Sequence, residues 1–296
     1  AAIPPRGPVF LPSASYHEME RWALPPAQAR RLEQLEEAPL LPDPGADDAA
    51  LLRGSHWRNF LAKYPESNRL HKVAAHLSQL SRAAGDPPDV RSHIGRAQCN
   101  DAYWHGVFGG LYLPFLRAAL WRELAGAASI LHADESLTAT VIDLDADGAE
   151  EIVVSSSQCF AVVAPARGAC VEVLLNLATG HNLADTMTRH EEAYHPAAAS
   201  LDGAVVADPT HDTTTGTASI HDLETTLDFR PPLDDTRRAL LVDRFVAPEC
   251  TREDFVAGTV PVVRDLAHTA LSATVHHQGG MLTIDGEGAG FNCDDA

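Results

Sequence analysis

The sequence predicts an α+β protein: a helical bundle followed by an antiparallel β-sandwich. Three observations carry that reading. Apolar residues recur at helical spacing as far as about residue 130. Beyond it come short runs of β-branched residues separated by turn chemistry. Hydrophobic residues make up 45% of 296, enough for a substantial core. We therefore divide the chain into a helical domain over 1–130 and a β-sandwich domain over 131–296.

The helical elements follow in order. Ser15 with Glu18 in SASYHEMERWALPP is a capping-box spacing, and Pro25 and Pro26 end that helix. AQARRLEQLEEA continues with good helix formers, and LPDPGADD is a loop. Trp57, Phe60, Leu61 and Tyr64 share one helical face before Pro65 breaks the run. Leu70, Val73, Leu77 and Leu80 form the next stripe, stopped by GDPPD. Leu113, Leu116, Leu120 and Leu124 form the last.

The strands predicted are SLTATVIDLD, EEIVVSSSQ, CFAVVAP and ACVEVLLNLA, punctuated by DADG and PARG, with HHQGGMLTIDGEG as a final hairpin. TTTGTASIHDLETTLDF is polar and ambiguous. TRHEEAYHP reads as a solvated loop, and His17, His71, His76, His195 and His221 as surface groups without ligand spacing.

A formal net charge of -19 excludes nucleic acid and anionic membranes as partners, because both would be repelled. No apolar run reaches membrane-spanning length. Cys99, Cys159, Cys170, Cys250 and Cys293 are odd in number, widely spaced and without a CxxC pair, as expected of reduced thiols in a cytoplasmic protein. The chain opens without Met on AAIPPRGPVFLP, which reads as a piece of something longer.

Two segments carry chemistry. In RAQCNDAYWHGVFGGLYLPFLR, helical spacing would place Asp101, Trp104 and His105 on one face, with Asn100 one turn before Trp104. Amide and carboxylate groups hydrogen-bond vicinal hydroxyls, an indole offers its flat face to pyranose C–H groups, and Gly106, Gly109 and Gly110 permit close backbone approach. Spacing alone leaves a second reading open: Tyr103 and Trp104 as core aromatics, with Asp101 capping a helix. Cys99 with His105 lacks two further ligands for a zinc site.

The other segment is VIDLDADGAEEIVV. Asp143, Asp145, Asp147 and Glu151 stand at positions 1, 3, 5 and 9 of a loop with Gly148 at 6. That is a calcium spacing, and Val154 at position 12 excludes the helix-loop-helix version. Five acids in nine residues repel one another, and a hard cation such as structural calcium would relieve them. An exposed acidic hairpin turn is the alternative.

AQCNDAYWHGVFGGLYLP resembles the fifth signature segment of glycoside hydrolase family 57, which includes α-amylases and 4-α-glucanotransferases. PSASYHEMERWALP and WRNFLAKYPESNRLHK resemble the helical region around it, and EIVVSSSQ with NLADTMTRHEEAYH the start of the family's C-terminal β-sandwich. The resemblance covers most of residues 8–265. It implies part of a retaining enzyme acting on α-1,4-glucan or maltooligosaccharide, with Asn100, Asp101, Trp104 and His105 lining the cleft. It also implies an N-terminal barrel bearing the nucleophile and the acid/base, two carboxyls about 5 Å apart. We expect this chain to lack that barrel, to hold a truncated sandwich and to be inactive alone. A stand-alone carbohydrate-binding or structural module is the alternative.

Overall fold

The computed structural model describes residues 17–36, 54–104, 109–193, 195, 233–257, 259–278 and 280–288. The chain divides into two compact units, Ala1–Tyr64 and Pro65–Ala296.

In the first unit, α1 (His17–Trp22), α2 (Pro26–Glu36) and α3 (Trp57–Lys63) are described. The predicted aromatic face is real. Phe60 and Tyr64 are fully buried, and the Trp57 and Phe60 rings stack at 5.6 Å. Lys63 Nζ donates to the Trp22 carbonyl at 3.2 Å, and Arg21 pairs with Glu33 at 2.6 Å. The helix expected to end at Pro25 and Pro26 stops at Trp22, and Pro26 also opens α2, because a first-turn proline loses no intrahelical hydrogen bond. The Ser15 cap lies outside the described residues.

The second unit begins with α4 (Pro65–Ala83), α5 (Pro88–Arg96) and α6 (Pro114–Leu131), each with proline in its first turn. Leu70, Val73 and Leu77 of α4 and Leu120 and Leu124 of α6 are buried as their spacing predicts. The nine-residue α5 was not predicted, since its periodic signal is only Val90 and Ile94. It is fastened to α6 by Glu123, which takes His93 Nδ1 at 2.7 Å and Arg96 Nε at 2.8 Å.

After α6 the chain turns to strands: β1 (Thr138–Ile142), β2 (Glu151–Ser155), β3 (Cys159–Ala164), β4 (Cys170–Asn176) and β5 (His181–Asn182) form one antiparallel sheet in sequence order. The pleat sends alternate residues to opposite faces. Val153, Val162 and Val173 stand opposite one another in the register and are buried, as are Phe160 and Leu175. Phe160 lies 6.1 Å from the His76 ring of α4 and 6.3 Å from His132 at the end of α6, so this face meets the helices. The other face presents Ile152, Val154, Ala161 and Val163. Ala273, Val275, Leu282 and Ile284 pack on it from the hairpin of β8 (Ser272–Gln278) and β9 (Met281–Glu287). The expected antiparallel sandwich is thus present. A short ribbon of β6 (Arg244–Val246) and β7 (Val262–Asp265), with α7 (Arg252–Ala257) between its strands, completes the described elements. The ambiguous TTTGTASIHDLETTLDF run lies outside them.

A buried ionic joint ties α4 to the sheet. Arg69, 7% exposed, donates Nε to Glu172 of β4 at 3.3 Å and holds Nη2 3.2 Å from its other oxygen as an ion pair, and Arg167 engages the same carboxylate. One turn earlier Glu66, 5% exposed, accepts the Thr188 hydroxyl at 2.6 Å, the Thr188 N–H at 3.0 Å and His190 Nε2 at 3.3 Å.

TRHEEAYHP therefore departs from the solvated loop expected. Thr188 and Glu192 are buried, Arg189 is clamped to Asp234 at 2.6 Å, and His195 Nδ1 accepts the Glu192 N–H at 3.1 Å. His71, His76 and His195 are likewise half-buried, not surface groups. A polar segment can be interior when its partners come from elements distant in sequence, and such partners leave no local signal. His221 lies outside the described residues, and of the His17 side chain nothing is described.

Burial would raise the Glu66 pKa, but the His190 hydrogen bond and charge, the Thr188 hydroxyl and Arg69 outweigh it and hold the value near 2 against an ordinary 4.5. Because the folded value lies below the unfolded one, the contribution of Glu66 is complete above about pH 4.5 and is lost as pH falls toward 2. It amounts to about 3 kcal/mol. Glu66→Gln should flatten the acid limb of the stability curve over that window and lower stability at neutral pH. Urea titrations at stepped pH measure both.

Candidate functional site

The signature segment does not form the single helix that its spacing suggested. A 3-10 turn spans Asn100–Ala102, a bend follows at Trp104, and a second 3-10 turn spans Gly110–Tyr112 before α6 begins. Two constraints break the helix. Gly109 and Gly110 have φ of 77° and 37°, outside the right-handed region. In addition Ser67 Oγ of α4 donates to the Tyr103 carbonyl at 2.5 Å.

This geometry sorts the residues that spacing left ambiguous. Tyr103 is a core aromatic: it is 5% exposed, and its hydroxyl donates to the Ala97 carbonyl at 2.8 Å. Burial, then the nearby Cys99, raises its phenol pKa. Asn100 and Asp101 are exposed, and neither side chain has a hydrogen-bond partner among the described residues. Asp101 is therefore not a capping residue. Trp104 is half-buried. His105 and Gly106 lie outside the described residues. The segment thus keeps Tyr103 inside and holds an exposed amide and carboxylate beside a half-buried indole.

Gly110 is the hinge of this shape. A Cβ there would fall 1.7 Å from the Trp104 carbonyl oxygen and 2.6 Å from that of Asp101. Its neighbour Leu111 donates its N–H to the same Trp104 carbonyl at 2.9 Å. Only a residue without a side chain lets the two turns close on each other.

The acidic loop joins two antiparallel strands, with Ile142 opposite Glu151 in the register. Oxygens of Asp143, Asp145 and Glu151 all lie within 4.8 Å of one another. Asp147 does not join them: its Oδ1 accepts the Ala149 N–H at 2.8 Å, and its other oxygen lies 3.9 Å from Arg167. Backbone N–H groups organise the loop, Asp147 N donating to Asp143 and Asp145 and Leu144 N to Glu151 at 2.9 Å. Burial, then the charge of Asp145, pushes the Glu151 pKa up to about 7. Burial, then Asp147, raises Asp145 as well. Arg167 and Arg237 approach Asp145 only to 4.0 Å, too far for hydrogen bonds. The donor set therefore fits a hard cation: oxygen ligands only, with more negative charge than the arginines neutralise.

A cleft of about 440 Å³ opens beside the loop, with Asp147, Arg167, Asp235, Thr236, Arg237 and His268 among its lining residues. Its floor includes the buried Cys170 and Ala267. Asp235 is already paired with Arg244 at 2.9 Å.

Sequence reasoning missed the residues that hold the signature segment from beneath. Arg117, 4% exposed, donates Nη1 to the Leu111 carbonyl at 2.6 Å and Nε to Asp185 at 2.9 Å. The Tyr112 hydroxyl donates to Glu192. An arginine in the otherwise apolar LPFLRAALW run was the one available signal, since an unpaired charge on a buried stripe demands a partner.

With this architecture in place, the comparisons with known proteins converge. Residues 55–131 match the family model described as alpha-amylase/4-alpha-glucanotransferase, middle domain, and residues 143–293 match the corresponding C-terminal model. A 4-alpha-glucanotransferase of Thermococcus kodakarensis is 36% identical over 95% of this chain, which spans 42% of that protein. An alpha-amylase of Pyrococcus furiosus is 38% identical over 85% of this chain and 36% of its own length. The crystal structure of the Thermococcus litoralis 4-alpha-glucanotransferase superposes with a TM-score of 0.68 at 32% identity, over 92% of this chain and 38% of that one. The chain belongs to the alpha-amylase/4-alpha-glucanotransferase family, glycoside hydrolase family 57, and spans about two-fifths of the length of the relatives it matches.

Gly110→Ala should be strongly destabilising, by about 2–4 kcal/mol, because the added methyl must displace backbone. Chemical denaturation compared with Gly95→Ala, where a Cβ meets nothing within 4 Å, checks it.

Proposed function

We propose that this chain forms one wall of the α-1,4-glucan cleft of a retaining family 57 enzyme, of 4-α-glucanotransferase or α-amylase type. The observation that carries the reading is the outward face of the signature segment. Asn100 and Asp101 stand exposed beside a half-buried Trp104, on a backbone fixed by buried side chains. Exposed polar groups without internal partners hydrogen-bond sugar hydroxyls, and the indole face covers pyranose C–H groups. His105 joins them as an expectation of the same motif. These residues bind and orient a sugar. They supply no nucleophile with an acid/base partner, a pair the family resemblance assigns to a barrel elsewhere in the enzyme.

A single wall binds weakly, so the 296-residue chain should take up maltoheptaose at about millimolar Kd. Trp104→Ala and Asp101→Ala should each weaken this about tenfold with little change in melting temperature. If Trp104 were instead a core residue, its truncation would cost about 3–5 kcal/mol. Titration by NMR alongside thermal melts separates these outcomes. The same chain should release no sugar from amylose; sustained hydrolysis would overturn the assignment of chemistry to another domain.

We also propose structural calcium at the acidic loop, with Asp143, Asp145 and Glu151 as side-chain ligands and Asp147 shaping the turn. The convergence of three carboxylates within 4.8 Å supports it. Millimolar calcium should then raise the melting temperature by mass action on the folded state, and Asp145→Ala should abolish the rise. Identical melts in calcium and in chelator would sink the idea.

A further inference from the structure

In the segment from Ala97 to Leu113 the backbone bonds among the described residues include Tyr103 N to Asn100, Leu111 N to Trp104, Tyr112 N to Gly109 and Leu113 N to Gly110. Its position is set from outside, by buried polar side chains of three other elements. Ser67 of α4 holds the Tyr103 carbonyl, and Arg117 of α6 holds the Leu111 carbonyl. Glu192, from the segment that follows β5, accepts the Tyr112 hydroxyl. Arg117 is itself oriented by Asp185, which also takes Trp121 Nε1 at 3.3 Å. Ser67 and Glu192 are fully buried and Arg117 nearly so, so none of the three lies on the exposed face of the segment.

Burying a carboxylate and a guanidinium costs several kcal/mol per charge before pairing, and an apolar prop would fill the same space more cheaply. What a charge-assisted hydrogen bond adds is direction: its acceptor fixes where the donor atom must sit. Here the fixed atoms are the Leu111 carbonyl and the Tyr112 hydroxyl. Both belong to the turn whose Leu111 N–H holds the Trp104 carbonyl.

We propose that Glu192, acting through Tyr112, and Arg117, acting through Leu111, are positioning residues for glucan. They set the height and tilt of the Gly109–Tyr112 turn, and with it the presentation of Asn100, Asp101 and Trp104. The inference rests on the glucan-cleft reading above and assigns a role in binding to two buried residues that touch no sugar.

The test uses the 296-residue chain with maltoheptaose. Tyr112→Phe removes one oxygen and leaves the ring in place. It should weaken binding about tenfold, hold the melting temperature within a few degrees and speed hydrogen exchange at the Leu111 amide. Glu192→Gln keeps an oxygen acceptor for the Tyr112 hydroxyl and should bind within about twofold of the unsubstituted chain. A Tyr112→Phe chain that melts lower but binds maltoheptaose undiminished would show the anchor to be purely structural and overturn the proposal. So would a Glu192→Leu chain that stays folded and still binds maltoheptaose undiminished. If the unsubstituted chain binds no maltoheptaose, the glucan-cleft reading falls first, and this inference with it.

Discussion

The buried pair between Arg69 and Glu172 is the constraint on which the second unit turns. It joins a helix to a sheet strand 103 residues later in sequence, where water cannot share the work of satisfying either charge. Such a pair adds little net stability against an apolar substitute, yet losing one partner strands the other charge in the interior. Its value is directional. A directional Nε–carboxylate bond with a second close charge contact limits sliding, so α4 is registered on β4. Everything hung on the first turn of α4 inherits that register: Glu66 reaching Thr188, Asn68 reaching the Asp145 carbonyl at 2.9 Å and Ser67 reaching Tyr103.

Both chemically interesting segments therefore hang from the same turn. Asn68 braces the acidic loop and Ser67 braces the signature segment, from adjacent residues of one helix. The two segments differ in how they treat polar groups. The signature segment turns its bonded groups inward and leaves Asn100 and Asp101 unsatisfied at the surface, an arrangement that favours a ligand rich in hydroxyls. The acidic loop does the reverse. It draws Asp145 and Glu151 inward, where burial raises both pKa values and the arginines at 4.0 Å compensate only in part.

The apolar architecture rests on ordinary packing. The sheet is apolar on both faces, meeting helices on one side and the β8–β9 hairpin on the other. This is why β2 and β3 read as continuous hydrophobic runs and not as alternating ones. Continuous runs reveal that a strand is buried but not what covers it.

What the sequence by itself determined was local. The helical stripes of α3, α4 and α6, the strand runs β1 to β4, the final hairpin and the strand-flanked acidic loop are set by periodicity and turn chemistry, which act over a few residues. Motif resemblance brought Asn100, Asp101 and Trp104 into one segment, but the helix drawn through them was wrong. Ser67 lies 36 residues upstream, and the glycine backbone closes against carbonyls that spacing cannot anticipate. Only the tertiary structure decided which polar residues are interior. Glu66, Arg69, Glu172 and Glu192 look like surface charges in sequence, because nothing in their neighbours says that a counter-charge or hydrogen-bond partner will arrive from a distant element. Burial of such groups is stable only when that partner is present, and the partner exists only once the chain has folded.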